Sequence, residues 1–365
     1  MKKSIFKFGS LAAIALAFGL GLTSCGGGSG AGNGSDSTAA NSDGITGAGS
    51  SFDNPLFSKM FAAYHDSTKL QVNYQSVGSG AGISQLTGKT VDFGASDAPM
   101  TGKQDTAAGA AVLHIPITAG AVVVSYNLPD VKDTLKFTPD VLANIFLGKI
   151  TKWNDPAIAA ANPGVKLPAT PILVAHRSDG SGTSAIFTSF LDKVSPEWHS
   201  KVGTSTSVNW PTGVGGKGNE GVSGVVKQTP GGIGYIELAY AIQNQIAYGQ
   251  VQNKSGKFIT PTIESVTAAA NTNIPADGKI WISNTDVADG YPISGFSWVL
   301  LYQEQGYGSR TQAQAEQLVK LVNWMIHDGQ QFSASLHYAP LSANAVSVGE
   351  SLLKSATYKG QPILK

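Results

Sequence analysis

Short apolar segments that lead into glycine- and serine-rich loops, and then into helical patterns, recur along this sequence and restrict its fold more than any other feature. Residues 91–96, 121–126 and 171–175 have the composition of strands, and the second of these is a continuous apolar run typical of a buried parallel strand. Residues from about 181 to 193 and from 311 to 327 have helical patterns. Strands that alternate with helices predict an α/β fold.

The amino-terminal residues differ from the rest and predict export. Three lysines precede an apolar run, a pattern typical of a secretory signal peptide over residues 1–24. The run ends in LTSC, which resembles the bacterial lipobox, and Cys25 is the only cysteine of the chain, so we expect it to be lipidated. Residues 25–44 are rich in glycine and serine and predict a flexible tether. The expected location is extracytoplasmic, in the periplasm or at the cell surface, with a lipid anchor in a membrane.

The charge balance argues against a nucleic-acid partner. The chain has 25 basic and 24 acidic residues, and loss of the three signal-peptide lysines leaves 22 against 24, a net charge of about −2. The histidines show no paired metal-ligand spacing, so no metal and no cofactor are expected. An anion bound by this chain would have to be held by local geometry.

Four small, polar loops stand where strands meet helices or where helices begin. Backbone N–H groups at such helix starts carry partial positive charge, and glycine lets them approach a ligand closely, which suits a tetrahedral oxyanion. The loops are residues 47–52 (GAGSSF), 78–80 (GSG), 95–97 (ASD) and 177–183 (RSDGSGT).

Arg177 is one of only two arginines, and it precedes a predicted helix start. It would supply the full positive charge for an anion, and Asp179 would hold its guanidinium in place. Asp97 is informative because a carboxylate should repel an anion unless the anion brings a proton. Phosphate carries at least one proton at neutral pH and sulfate carries none, so Asp97 would select phosphate.

Each loop also has a plainer interpretation that the residues leave open. A glycine–serine turn before a helix is commonly a cap, and Arg177 with Asp179 is also compatible with an ordinary surface pair. Asp97 is also compatible with a turn cap before Pro99. Only the set of four loops favours a binding site.

Seven segments, in chain order, carry a resemblance to a known family. They are TGAGSSF (46–52), NYQSVGSGAG (73–82), VDFGASDAPM (91–100), LGKITKWNDPAI (147–158), RSDGSGTS (177–184), NWPTGVGGKGNEGV (209–222) and PGGIGYIELAYA (230–241). Together they resemble the periplasmic phosphate-binding proteins of bacterial ABC transporters. The combination of VDFGASDAP with DGSGTS is specific, and the match covers nearly the whole chain after the signal, least closely beyond about residue 300.

The resemblance implies a two-lobe periplasmic-binding-protein fold, in which each lobe is a mixed sheet flanked by helices and the ligand lies in the cleft between them. It implies one lobe of residues 45–117 and 291–365, and a second of residues 118–290. It further implies a protein that catalyses no reaction and delivers inorganic phosphate to the permease and ATPase of an ABC transporter.

The residues that the resemblance assigns to phosphate follow from its motifs. Asp179 would orient the arginine, and Ser51 stands where the family more often has threonine. The implied contacts are Ser51, Phe52 through its backbone N–H, Ser79, Asp97, Arg177, Ser181, Gly182 and Thr183.

Parts of the sequence resemble the motifs of other functional classes. Residues 87–90 (TGKT) look like the end of a P-loop, but position 83 is isoleucine where that motif needs glycine. A secreted serine hydrolase or phosphatase would use Ser181, near His176 and Asp179, although the Gly-x-Ser-x-Gly pattern is not met. A binding protein for another tetrahedral oxyanion also stays open.

Overall fold

The structure is a computed structural model, and it describes residues 44–364. The predictions of a signal peptide, of lipidation at Cys25 and of a tether up to residue 43 lie outside the described residues.

The described chain alternates strands and helices, as predicted. The strands are β1 (Ile45–Gly49), β2 (Val72–Ser76), β3 (Phe93–Ser96), β4 (Val112–Tyr126), β5 (Lys136–Phe137), β6 (Leu173–Arg177), β7 (Val214–Gly216), β8 (Gly232–Glu237), β9 (Ala247–Tyr248), β10 (Gln250–Gln252), β11 (Phe258–Ile259), β12 (Ser294–Tyr302), β13 (Thr357–Tyr358) and β14 (Gln361–Pro362).

Helices follow most of these strands. They are α1 (Asn54–Thr68), α2 (Ser79–Thr87), α3 (Gly102–Ala108), α4 (Pro139–Phe146), α5 (Pro156–Ala161), α6 (Gly182–Val194), α7 (Pro196–Lys201), α8 (Gly218–Gln228), α9 (Leu238–Gln243), α10 (Ile263–Ala270), α11 (Gln312–Ile326) and α12 (Ala343–Lys354).

The long strand β4 belongs to two sheets. Its residues Val112 to Ala121 pair with β12, and its residues Val122 to Tyr126 pair with β8. The first-lobe sheet therefore has the order β2-β1-β3-β12-β4, and the second-lobe sheet continues from β4 through β8 and β6 to β7. Both are mixed: β1 is parallel to β2 and β3, and β6 to β7 and β8, whereas β4 is antiparallel to its partners. The predicted two-lobe α/β fold is confirmed.

The prediction that residues 121–126 form a parallel strand is wrong. This segment is the carboxyl-terminal part of β4, and it is antiparallel to both β8 and β9. All six residues are buried. A continuous apolar run reports burial on both faces of a sheet, but it contains no information about the direction of the neighbouring strand.

Local sequence sets the helix starts. The hydroxyls of Thr138, Ser181 and Thr311 accept hydrogen bonds from backbone N–H groups three residues further along the chain, at the starts of α4, α6 and α11. Such caps satisfy donors that have no partner within the helix.

The core joins residues from both sheets and the helices that flank them, and Trp153, Trp198 and Trp298 are fully or almost fully buried. None of the helices in residues 44–364 combines the length and apolarity needed to cross a lipid bilayer.

Candidate functional site

The four predicted loops lie together at the carboxyl-terminal ends of strands. Ser51 follows β1, Ser79 opens α2 after β2, and Asp97 follows β3. Because these three strands are parallel, their ends share one edge of the first-lobe sheet. Residues 177–183 follow β6 of the second-lobe sheet, and the Gly182 N–H donates to Ser79 Oγ (3.1 Å). The site is thus built from both lobes.

The predicted contact residues are withdrawn from solvent. Each of the seven that have a side chain exposes at most 4% of its surface, and Gly182 is also buried. Polar groups buried to this degree require hydrogen-bond partners.

Two glycines permit the close approach of the loops. A Cβ on Gly182 would lie 2.5 Å from both Asp97 Oδ2 and Ser79 Oγ, and a Cβ on Gly78, whose φ is +89°, would clash with Asp179 Oδ2. Any other residue at Gly182 would push the first-lobe carboxylate away from the helix start.

Arg177 is a buried cation that Asp179 holds in one orientation. Its Nε donates to Asp179 Oδ1 (2.8 Å) and its Nη2 donates to Asp179 Oδ2, while the Gly218 N–H donates to Oδ1 (3.1 Å). Burial alone would raise the pKa of Asp179, but its hydrogen bonds with Arg177 and the charge of that residue outweigh burial and lower the pKa. The paired carboxylate is therefore ionised at neutral pH, and its geometry fixes the guanidinium.

Four buried hydroxyl groups accept hydrogen bonds from N–H donors, which leaves their own protons available. Within residues 44–364 none of the four donates a hydrogen bond to the protein, and a hydroxyl has one proton and two lone pairs. Ser51 Oγ accepts from the backbone and side-chain nitrogens of Asn219 (both 3.0 Å), and Ser79 Oγ accepts from the N–H groups of Gly182 and Asp97 (3.1 and 3.3 Å). Ser181 Oγ accepts from Ser184 N–H (3.0 Å), and Thr183 Oγ1 accepts from Asn219 Nδ2 and Arg177 Nη1 (3.1 and 3.4 Å).

Two backbone donors predicted to face the ligand have protein partners here. The Phe52 N–H donates to Ser50 Oγ (2.9 Å), and the Gly182 N–H donates to Ser79 Oγ. The aromatic ring of Phe52 packs edge-on against Tyr338.

Asp97 is the only predicted contact residue with a negative charge. Its Oδ1 accepts from Ser297 Oγ (2.8 Å), and its Oδ2 is buried without a hydrogen-bond partner in the described chain. Burial raises the pKa of Asp97 from 3.8 to about 6, against the opposing effects of the Ser50 and Ser297 hydroxyls and the Arg177 charge. At neutral pH it is therefore mainly a hydrogen-bond acceptor.

Sequence reasoning did not single out Asn219, Asp53 or Ser297. Asn219 bridges Ser51 and Thr183, and it lies in the quoted segment 209–222, where an asparagine among glycines was the available signal. Asp53 directly follows the first quoted motif, whereas Ser297 lies outside all seven quoted segments.

The hydrolase alternative finds no support in the geometry. Ser181 Oγ has no hydrogen bond to a histidine or carboxylate within the described residues. His176, the base proposed for it, stacks on Trp210 with ring centroids 5.0 Å apart, and its Nδ1 lies 3.0 Å from the carbonyl oxygen of Arg177. Over residues 44–364 there is also no cluster of three or more side chains suited to a metal ion.

Known proteins resemble this chain in sequence and in fold. Residues 34–328 match the family model of the PBP superfamily domain. The phosphate-binding protein PstS of Xylella fastidiosa is 44% identical over 306 residues, which cover 83% of this chain and 82% of that protein. The phosphate-binding protein PstS of Haemophilus influenzae is 42% identical over 320 residues, which cover 87% and 94%.

Solved structures show the same fold at low identity. A high-affinity periplasmic phosphate-binding protein (PfluDING) bound with phosphate aligns with a TM-score of 0.68 and 20% identity, over 85% of this chain and 92% of that one. A phosphate-bound substrate-binding protein of a putative phosphate ABC transporter from Clostridium perfringens aligns with a TM-score of 0.60 and 17% identity, over 82% and 100%. By its sequence identity to the relatives above, and in agreement with this fold, the chain belongs to the PstS phosphate-binding proteins of the PBP superfamily.

Proposed function

We propose that this protein binds inorganic phosphate between its two lobes, outside the cytoplasmic membrane, and delivers it to the permease and ATPase of an ABC transporter. It catalyses no reaction. The proposed ligands are Ser51, Phe52, Ser79, Asp97, Arg177, Ser181, Gly182 and Thr183, with Asp179 behind the arginine. Relatives named as phosphate-binding proteins support the ligand class.

One observation carries the proposal: among the proposed contacts, Asp97 Oδ2 is an acceptor that is buried without a hydrogen-bond partner in residues 44–364, beside hydroxyls whose protons are available. A buried polar atom without a hydrogen bond costs about 1–3 kcal/mol, and more when it is charged. A ligand that both accepts many hydrogen bonds and donates one removes that cost. Phosphate does both at neutral pH, and sulfate only accepts.

Lobe closure is part of the proposal. We assign residues 45–117 and 291–365 to one lobe and residues 118–290 to the other. The exchange of pairing partners along β4, after Ala121, supports this division. An anion that bridges Arg177 and the loops of the first lobe would favour the closed arrangement over an open one. Attachment through a lipid on Cys25 would keep the protein near its transporter.

Calorimetric titration with phosphate, arsenate and sulfate at pH 7.5 tests the ligand. We expect phosphate to bind at least about 100-fold more tightly than sulfate, because a missing hydrogen-bond donor leaves the acceptor unpaired. Arsenate resembles phosphate in its protons and controls for that feature. Equal affinities for phosphate and sulfate would contradict the proposal and would favour a general oxyanion-binding protein.

A further inference from the structure

A chain of three buried side chains lies behind the candidate ligand site. Ser297 Oγ is 2.5 Å from Asp53 Oδ2 and 2.8 Å from Asp97 Oδ1. Asp53 and Ser297 have no exposed surface and Asp97 exposes 1%. The pairing register of β12 shifts between Ser297 and Trp298, an irregularity of the kind that re-aims side chains beside functional sites.

The number of protons in this chain of groups is constrained. A serine hydroxyl has one proton, so Ser297 can donate to one carboxylate only. Its third acceptor, the carbonyl oxygen of Ser96, is more distant at 3.3 Å. If both carboxyl groups were ionised, one of them would face the lone pairs of Ser297 without a proton between them. Two negative charges would also lie close together in a buried site. One carboxyl group must therefore be protonated and donate to Ser297.

The surroundings of the two carboxyl groups place the proton on Asp53. The charge of Arg177 favours the ionised form of Asp97. The titratable groups that act on Asp53 are acidic: Asp97 after β3, Glu237 at the end of β8, Tyr74 in β2 and Tyr338. Burial and the negative charge of Asp97 raise the pKa of Asp53 well above its ordinary value, and the hydrogen bond with Ser297 only partly opposes them.

We propose that Asp53 is a positioning residue for selectivity: it stays protonated at neutral pH, donates to Ser297, and thereby directs the Ser297 proton to Asp97 Oδ1. Asp97 then stays ionised, and its Oδ2 accepts the proton of the ligand. If Asp53 were ionised, Ser297 would no longer be directed to donate to Asp97, and a second negative charge would lie behind the ligand. This inference rests on the proposed function, since it explains how the acceptor for phosphate is held.

Infrared difference spectroscopy of the unliganded protein tests directly whether Asp53 is protonated. We expect carboxylic-acid carbonyl absorption at pH 7.5 that shifts in deuterium oxide and loses one component in Asp53→Asn. The component that remains belongs to Glu237, which is fully buried and whose pKa burial also raises well above its ordinary value. Asp140→Asn, which alters an exposed carboxylate in the first turn of α4, is the matched control and should leave the absorption unchanged. A parent protein without this absorption, or an Asp53→Asn variant whose absorption equals that of the parent, overturns the proposal whether or not phosphate binds.

Phosphate titrations of the same variants test the positioning role. Asp53→Ala should weaken phosphate binding about tenfold, because Ser297 loses its donor. Asp53→Asn should bind phosphate within about threefold of the parent, because the amide donates in place of the acid.

The pH dependence gives a second test. The parent should lose phosphate affinity at alkaline pH relative to Asp53→Asn, and the ratio of the two proteins' affinities cancels the titration of phosphate itself. Equal losses in both variants with parallel pH profiles would indicate a merely structural role and would contradict the proposal. Failure of the parent to bind phosphate would instead count against the proposed function. The infrared result would still decide whether Asp53 is protonated.

Discussion

The two sides of the candidate site differ in charge and in the origin of their hydrogen bonds. The first-lobe side presents Ser51, Ser79 and the carboxylate of Asp97, and it has no cation among its predicted contacts. The second-lobe side presents Arg177 and the amino-terminal turn of α6, with a hydroxyl at its cap. One side therefore repels an anion unless the anion carries a proton, and the other attracts any anion.

This difference separates strength from selectivity. A guanidinium and a helix start bind sulfate and phosphate alike, because both present acceptor oxygens. Only an acceptor on the opposite side distinguishes them. If this division is right, changes in the second lobe should weaken all oxyanions together, and changes at Asp97 should alter their ratio.

Arg177→Ala should have the largest effect. Removal of a buried charged partner costs about 2–5 kcal/mol, so phosphate and sulfate affinity should both fall by about 30-fold or more, with little change in their ratio. Titration calorimetry measures this. Arg310→Ala is the matched control, because Arg310 is the other arginine and is a buried partner of Asp92, outside the site. A phosphate affinity that survives in Arg177→Ala would remove this residue from the site.

Asp97→Asn should reduce the preference for phosphate over sulfate. An amide can donate to sulfate where the carboxylate repels it, so we expect the preference for phosphate to shrink by about tenfold or more. The preference is the ratio of the two dissociation constants at pH 7.5. A variant as selective as the parent would place selectivity elsewhere in the site.

The preference for phosphate should also depend on pH. The pKa of Asp97 is raised to about 6, so its carboxyl group is protonated below that pH and becomes a donor. Sulfate affinity relative to phosphate should therefore increase as the pH falls from 8 to 5, by several-fold. Competition titrations across this range measure the change. Phosphate itself exchanges a proton with water in this range, so Asp97→Asn is the reference, and the parent profile divided by that of the variant should change near pH 6. Parallel profiles in the two proteins would assign the titration to the ligand or to another group.

Ser51→Thr should have the smallest effect. Both side chains keep a hydroxyl that can accept from Asn219 and donate to an anion, so phosphate affinity should stay within about threefold. Ser51→Ala removes the hydroxyl and should weaken binding about tenfold or more, since hydrogen bonds to charged groups contribute about 1.5–3 kcal/mol. Equal affinities in the two variants would show that the hydroxyl at this position does not bind phosphate.

Local sequence determined the strand–helix alternation, the cap at Ser181 and the pairing of Arg177 with Asp179. These features depend on residues within a few positions of each other, and their physics is that of N–H groups at helix starts and of short-range charge pairs. The direction of the strand at residues 121–126 was not determined in this way, because apolar composition reports burial alone.

Tertiary structure alone decided how the acceptor and donors are held. Asn219 reaches Ser51 across 168 positions of the chain, and Ser297 reaches Asp53 across 244. Neither asparagine nor serine carries a local pattern that predicts a partner so distant. The protonation of Asp53 likewise follows from burial beside another carboxyl group, a condition that exists only after β12 and the loops of the first lobe have packed together.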